Sequence, residues 1–508
     1  MYQGGAAAGG EGVVQEYAGA GAWPYGGPTG PSGPSALSSG AGQPAALVPV
    51  PQKPARRRRA VVAVVVAAAL AAAAVTGVAA HSSPAPTPQA AVPTTTPTAT
   101  DSTALNTEQT GKLDAAVTPV LTSRATALAH GDLVGWLKDV DTTQPALVAH
   151  EKMLFTNLRK LPLGSYGWVE QSDATSANLA ISPTASNLLT DHTALYSRGY
   201  WLQYAFHGYD RSNIQDEYVP IFLQRGGRWL LAGDQSTTVG TRRAEPWEKE
   251  PIVVGTGKHA LVLLSASDAK KLASVVKQAD TAVGKVTAMW PSGWAHKVVF
   301  YDTQNADVFS TYLGRHGSIS DFDGVTVGMG HDDVTRANEP LRVVANPRYE
   351  PPGAKNLPAL LTHEFTHVAK WADVGDGTPL WSIEGIAEYT AYRGHPSDQR
   401  VPEKIGKDGR SGHLPKSLPT ASGFYHGGIT EAYDYGMSWL AFEYMSETYG
   451  ESKVRLVYER LAKIWTPEDS AQSLKAEAAA FQAVLHMSEA KFVSGLNKWI
   501  ARVIRPVH

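Results

Sequence analysis

Leu360-Leu-Thr-His-Glu-Phe-Thr-His-Val-Ala369 and, after a short loop, Pro379-Leu-Trp-Ser-Ile-Glu-Gly-Ile-Ala-Glu-Tyr389 decide how this 508-residue chain is read. Positions four apart on a helix share a face, so His363 and His367 present both imidazoles to one point. Glu364 stands beside a ligand without being one, where it can reach a water held at that point. The second segment is another apolar-patterned helix. It offers Glu384 as the third ligand that a two-histidine zinc site needs. Glu388 follows one turn later and is placed to accept the N–H of a ligand imidazole, although a solvated helix carboxylate would look the same.

This set of residues has a chemistry. Neutral imidazoles bind Zn²⁺ through one nitrogen, and zinc lowers the pKa of a bound water from about 16 to roughly 7. Glu364 then needs only to accept a loosened proton and hand it to a leaving amine. Asp373 is a competing third ligand at the end of an H-E-x-x-H-x-x-G-x-x-(H/D) pattern, but Lys370 stands where that pattern needs the turn-forming glycine.

The pair His363-Glu-Phe-Thr-His367 and Trp381-Ser-Ile-Glu-Gly-Ile-Ala-Glu-Tyr389 resembles the peptidase MA-like domains of bacterial gluzincins, the thermolysin and metal-aminopeptidase class. The resemblance covers roughly residues 255 to 505. It implies zinc on His363, His367 and Glu384, with Glu364 as base. Glu431-Ala-Tyr-Asp-Tyr-Gly-Met-Ser-Trp439 looks like the family's next helix, whose tyrosine stabilises the oxyanion. Tyr433 is the first choice for that role, with Tyr435 and His426 behind it; a phenol donates a hydrogen bond to developing charge without ionising. Packing in the helical subdomain is the plainer reading of Tyr433. The aminopeptidases' G-x-M-E-N strand has only Val327-Gly-Met-Gly-His331 as its nearest counterpart, without the Glu and Asn, so the expectation is an endopeptidase.

Around the motif, residues 255–508 read as one catalytic domain. Strand-like runs stand at His259–Leu264, Lys297–Tyr301, Gly324–Val327 and Leu341–Ala345, with a helical pattern from Asp268 to Trp290 and three more helices after Gly450. A strand beside such a site can pair with an extended peptide by β-addition.

Residues 110–240 read as a separate α+β domain. Helical spacing over Leu113–Leu128 is closed by Gly131, a second helix runs from Pro145 to Leu158, and strands follow at Tyr200–Phe206, Tyr218–Leu223 and Trp229–Ala232. The last two are joined by the hairpin Arg225-Gly-Gly-Arg228. This order resembles a nuclear-transport-factor-2-like cone. Trp201, Tyr204, Phe206 and Trp229 would line its pocket or, more simply, fill its core. His150 and His207 carry no partner pattern.

Toward the N-terminus, residues 1–55 are Gly, Ala, Pro and Ser and read as a disordered cytoplasmic tail. Arg56 to Arg59 precede a charge-free run from Ala60 to Ala80, and residues 56–80 read as a basic stop and transmembrane helix. The one-sided basic cluster places the tail in the cytoplasm and the rest outside the plasma membrane; a signal peptide cleaved after Ala80 is the alternative. Residues 81–109 form a Pro/Thr-rich stalk. The chain has no cysteine, which excludes disulfides and thiolate sites, and a net charge of −2 without a basic stripe argues against nucleic acid.

The expected fold class is therefore α+β: a zincin-like catalytic domain, with a small sheet, the motif helix and a helical C-terminal subdomain, preceded by an α+β cone-like domain and a single transmembrane helix. The expected function is a membrane-anchored zinc peptidase acting on extracellular peptides or proteins. Two alternatives are a surface ligand-binding protein on an idle zincin scaffold and a latent enzyme whose N-terminal domain covers the cleft.

Overall fold

A computed structural model describes residues 107–171, 194–235, 242–313, 323–331, 334–347, 357–396, 401–425, 428–467 and 470–503. Helix α1 (Thr107–His130) buries Val117, Leu121 and Leu128 and stops where Gly131 takes a φ of 71°. Two shorter helices, α2 (Leu133–Leu137) and α3 (Pro145–Leu158), complete the helical layer of an N-terminal module. Its strands are β1 (Leu163–Glu170), β2 (Ala194–Ser197), β3 (Tyr200–Phe206), β4 (Ile214–Tyr218), β5 (Pro220–Arg225) and β6 (Arg228–Asp234). They form two antiparallel three-stranded sheets, ordered β1-β3-β4 and β2-β5-β6.

The run Tyr218–Leu223, read as one strand, is divided at Val219: β4 pairs with β3, whereas β5 pairs with β2 and β6. Pro220, with no N–H to give, stands at the crossing between the sheets. The Gly226-Gly227 pair does turn a tight hairpin, with φ of 57° and 76°.

Helix α4 (Pro246–Lys249) leads into a five-stranded sheet. The chain runs through β7 (Ile252–Thr256), β8 (Ala260–Ser265), helix α5 (Leu272–Met289), β9 (Val298–Asp302), helix α6 (Ala306–Leu313), β10 (Gly324–Gly328) and β11 (Leu341–Ala345). Strand order is β10-β11-β9-β8-β7, which leaves β10 at one edge among the described residues. Then come the motif helix α7 (Leu357–Lys370), α8 (Leu380–Tyr392), α9 (Glu403–Ser411), α10 (Gly428–Tyr449), α11 (Glu451–Leu461), α12 (Ala471–Leu485) and α13 (Glu489–Val503).

The expected fold class needs correction. β8 pairs with β9, and β9 with β11, in parallel, whereas β7 and β10 run antiparallel to their neighbours, so the class is mixed α/β rather than α+β. The cause is connection length: α5 is a crossover between β8 and β9, and a crossover returns the chain in the same direction. The transmembrane helix is also not part of this fold. No helix of the described residues is long and apolar enough to cross a membrane, and residues 56–80, like the tail and most of the stalk, lie outside the described residues.

The five-stranded sheet is covered on both faces. Alternate residues turn Val262, Phe300 and Val343 toward α5 and α7, where they join the core of the C-terminal helices. The intervening Leu263, Tyr301, Val325 and Val344 face the N-terminal module and share its core. Trp247 of α4 meets Tyr204, Phe206 and Tyr301 edge-on, with centroids 5.5, 5.7 and 6.0 Å away. Tyr204 and Phe206 are thus buried core, while Trp201 and Trp229 are half-buried. Arg342 of β11, fully buried, closes the junction with two 2.8 Å bonds to Asp210 and a third to the Tyr301 hydroxyl. Beside it, the Glu245 carboxylate accepts from Tyr204 and Tyr312; burial, with the charge of Asp216, pushes it up to about 7.

Candidate metal centre

Leu361 and Phe365, both fully buried, seat α7 on the sheet, with Phe365 edge-on to Phe300 of β9. That anchoring turns the opposite stripe of the helix toward α8. His363 and His367 lie on it one turn apart, with their Nε2 atoms 3.0 Å from each other. Helix α8 enters from Pro379, whose carbonyl accepts from the Ser382 hydroxyl. The Trp381 indole donates to Glu477 of α12 at 2.7 Å, which fixes the start of α8.

Glu384 then extends between the histidines, with Oε2 3.2 Å from His363 Nε2 and 3.5 Å from His367 Nε2. These three form the cluster of metal-ligating side chains found among the described residues. A triangle with edges of 3.0, 3.2 and 3.5 Å has a circumradius of about 1.9 Å, so these three atoms would fit around one ion at the usual zinc distances of about 2.0–2.1 Å. The donor set, two imidazole nitrogens and one carboxylate oxygen, is of a kind that would suit zinc.

The second carboxylate of α8 has a separate place. Glu388 Oε1 lies 3.0 Å from His363 Nδ1, the nitrogen that faces away from Glu384. A proton held there leaves the Nε2 lone pair for a metal. Burial pulls the His363 pKa down, but the hydrogen bonds to Glu384 and Glu388 outweigh it and hold the ring well above the usual imidazole range. Burial likewise acts to raise Glu384, yet the two imidazoles bring its carboxyl down to about 2, so it is an anion at neutral pH.

Glu364, on the sheet side of the stripe, is buried and accepts a 2.7 Å hydrogen bond from the hydroxyl of Thr326 on β10. Sequence reasoning gave Thr326 no role. The one available signal was the alternation of small residues in Gly324-Val-Thr-Val-Gly328.

The two tyrosines of α10 part company, because residues two apart on a helix point to nearly opposite sides. Tyr433 donates to Asp408 of α9 at 3.2 Å, beneath the Lys404 ammonium, away from the cluster. Tyr435 packs against Phe424 and lies 6.4 Å, ring to ring, from His363. Burial, then the charges of Glu384, Glu431, Glu364 and Glu388, raise its phenol well above the ordinary value, so it remains a donor. His426 lies outside the described residues, and Asp373 pairs with the buried Lys370 at the end of α7, not with the cluster.

No protein-family model matches this chain. No curated protein matches it either.

Proposed function

We propose that this chain is a zinc-dependent peptidase that cleaves within extended peptide substrates. The observation that carries the reading is the convergence of His363 Nε2, His367 Nε2 and Glu384 Oε2 within 3.0 to 3.5 Å of one another, with a glutamate next in sequence to a ligand. When bound, zinc supplies a concentrated positive charge that acidifies water and polarises a carbonyl. Glu388 keeps the His363 ring in the tautomer that binds. Glu364 takes a proton from the attacking water and delivers it to the leaving amine. Tyr435, not Tyr433, donates a hydrogen bond to the negative charge that builds on the carbonyl oxygen. The edge that β10 presents among the described residues, tied to Glu364 through Thr326, offers backbone groups for an extended substrate to pair with.

Support for a pure ligand-binding role is weaker, since Tyr204, Phe206 and Trp247 fill the interior of the N-terminal module. That module also lies on the sheet face opposite α7, a poor position for covering the cluster. The test is elemental analysis of the protein together with cleavage of fluorescein-labelled casein by wild type and Glu364→Gln. One zinc per chain in both, with cleavage lost in the variant, is expected. A chain that takes up no zinc, or a variant as active as wild type, refutes the reading.

A further inference from the structure

Strand β10 is where the sheet edge meets the motif helix. Val325 and Val327 point into the core shared with the N-terminal module, so positions 324, 326 and 328 face the helical layer. Two of these three positions are glycine. A methyl group on Gly324 would stand 3.1 Å from Leu360 Cδ1, and one on Gly328 would stand 2.6 Å from the Trp371 ring and collide with the Glu339 carboxylate. The bare positions let α7 lie close against the strand and leave Thr326 as the side chain that fills the seam.

Thr326 is fully buried, and its hydroxyl oxygen is 2.7 Å from Glu364 Oε2 and 3.0 Å from the Glu364 carbonyl oxygen. A hydroxyl has one hydrogen, and of these two acceptors the charged one is both nearer and stronger. Oε2 is thereby pinned, and Oε1 is the oxygen left to receive a proton.

Building on the peptidase reading above, we infer that Thr326 is a positioning residue for the general base. Its hydroxyl fixes the plane of the Glu364 carboxylate and couples that carboxylate to the strand on which substrate pairs, so base and scissile bond keep a common register. Neither role needs Thr326 to touch substrate or metal.

The experiment compares wild type, Thr326→Val, Thr326→Ser, Glu364→Ala and the double variant Thr326→Val/Glu364→Ala. Zinc-loaded proteins are assayed on an internally quenched peptide selected from a randomised library by the wild type, and metal-free proteins are unfolded in urea. Thr326→Val is expected to lower kcat about 10- to 100-fold with KM and zinc content unchanged, and Thr326→Ser to restore kcat to within about threefold of wild type. In the metal-free proteins the two single changes should be non-additive, with a coupling of about tenfold in the unfolding constant. If Thr326→Val does not fold, Thr326→Ala takes its place.

A wild-type kcat in Thr326→Val, a Thr326→Ser as impaired as Thr326→Val, or additive effects on unfolding overturns the positioning role and leaves the peptidase reading intact. A wild type that cleaves nothing, or a Glu364→Ala as active as wild type, overturns the peptidase reading itself and the positioning role with it.

Discussion

Gly385, next to the proposed third ligand Glu384, is a position at which a single methyl group should be felt both in stability and at the site. A methyl group there would sit 2.6 Å from the carbonyl oxygen of Ser438 on α10, 2.8 Å from its carbonyl carbon and 3.0 Å from Phe442 Cδ2. Ordinary contact begins near 3.4 Å, and a backbone carbonyl in mid-helix cannot rotate away, so α8 and α10 would have to separate by about 0.8 Å. In an exposed helix Gly→Ala stabilises by about 1 kcal/mol. Overpacking a seam of this kind costs about 1–3 kcal/mol, and with backbone as the obstacle the upper part of that range applies. Gly385→Ala should therefore lose about 1–2 kcal/mol in urea unfolding of the metal-free protein. Because metal sites tolerate ligand shifts of only about 0.2 Å, the displaced Glu384 should also weaken zinc binding about 10- to 100-fold in a chelator competition. A variant as stable as wild type with unchanged zinc affinity would refute the claim that close helix approach at Gly385 sets the third ligand.

Other consequences can be measured separately. Glu388→Gln should keep the fold and lower zinc affinity about 10- to 100-fold, read by chelator competition, because it weakens the acceptor that fixes the His363 tautomer; equal affinity would mean the 3.0 Å contact orients nothing. Asp302, fully buried at the end of β9, is pushed up to about 7 by burial and by the nearby Asp268 charge. Its proton is held more tightly folded than unfolded, so its stabilising contribution is present below about pH 4 and is lost as pH rises to 7, by up to about 4 kcal/mol. Asp302→Asn should flatten that part of the melting temperature against pH and raise stability at pH 8; Glu245, also about 7, adds a slope of the same sign that remains. Residues 242–508 expressed alone should aggregate or bind a hydrophobic dye, because removing the N-terminal module bares Leu261, Leu263, Val299, Tyr301 and Val344. A stable, monomeric and dye-silent fragment would show that this sheet face does not need its cover.

Much of the local structure was legible before any coordinates. The helix of Pro145–Leu158, the strand Tyr200–Phe206 and the strand Leu341–Ala345 are where periodicity and punctuation put them. Strand β7 is absent from the runs read as strands although Ile252, Val253, Val254 and Thr256 are β-branched; its short length and Gly255 mute the pattern, and pairing with β8 completes it. Strand direction was also out of reach: the same apolar runs suit parallel or antiparallel neighbours, and the crossover through α5 makes the choice. Burial on both faces does leave a local mark, in the unbroken apolar runs at residues 260–264 and 298–301, but which modules supply the two covers is set elsewhere in the chain.

The same division runs through the candidate site. His363 and His367 meet because the helix repeat brings residues four apart onto one face, so sequence alone determined that pair and the neighbouring Glu364. Glu384 could be nominated from sequence, but its arrival at 3.2 and 3.5 Å depends on how α8 packs between α7 and α10. The choice between Tyr433 and Tyr435 was open in sequence, because two residues on one helix differ only by the face that neighbouring helices turn inward. Only the tertiary structure separates them, by setting Asp408 against one phenol and the His363 ring beside the other. Thr326 is the extreme case: it and Glu364 belong to elements far apart in sequence, and a hydrogen bond across that distance exists only once the strand and the helix have packed.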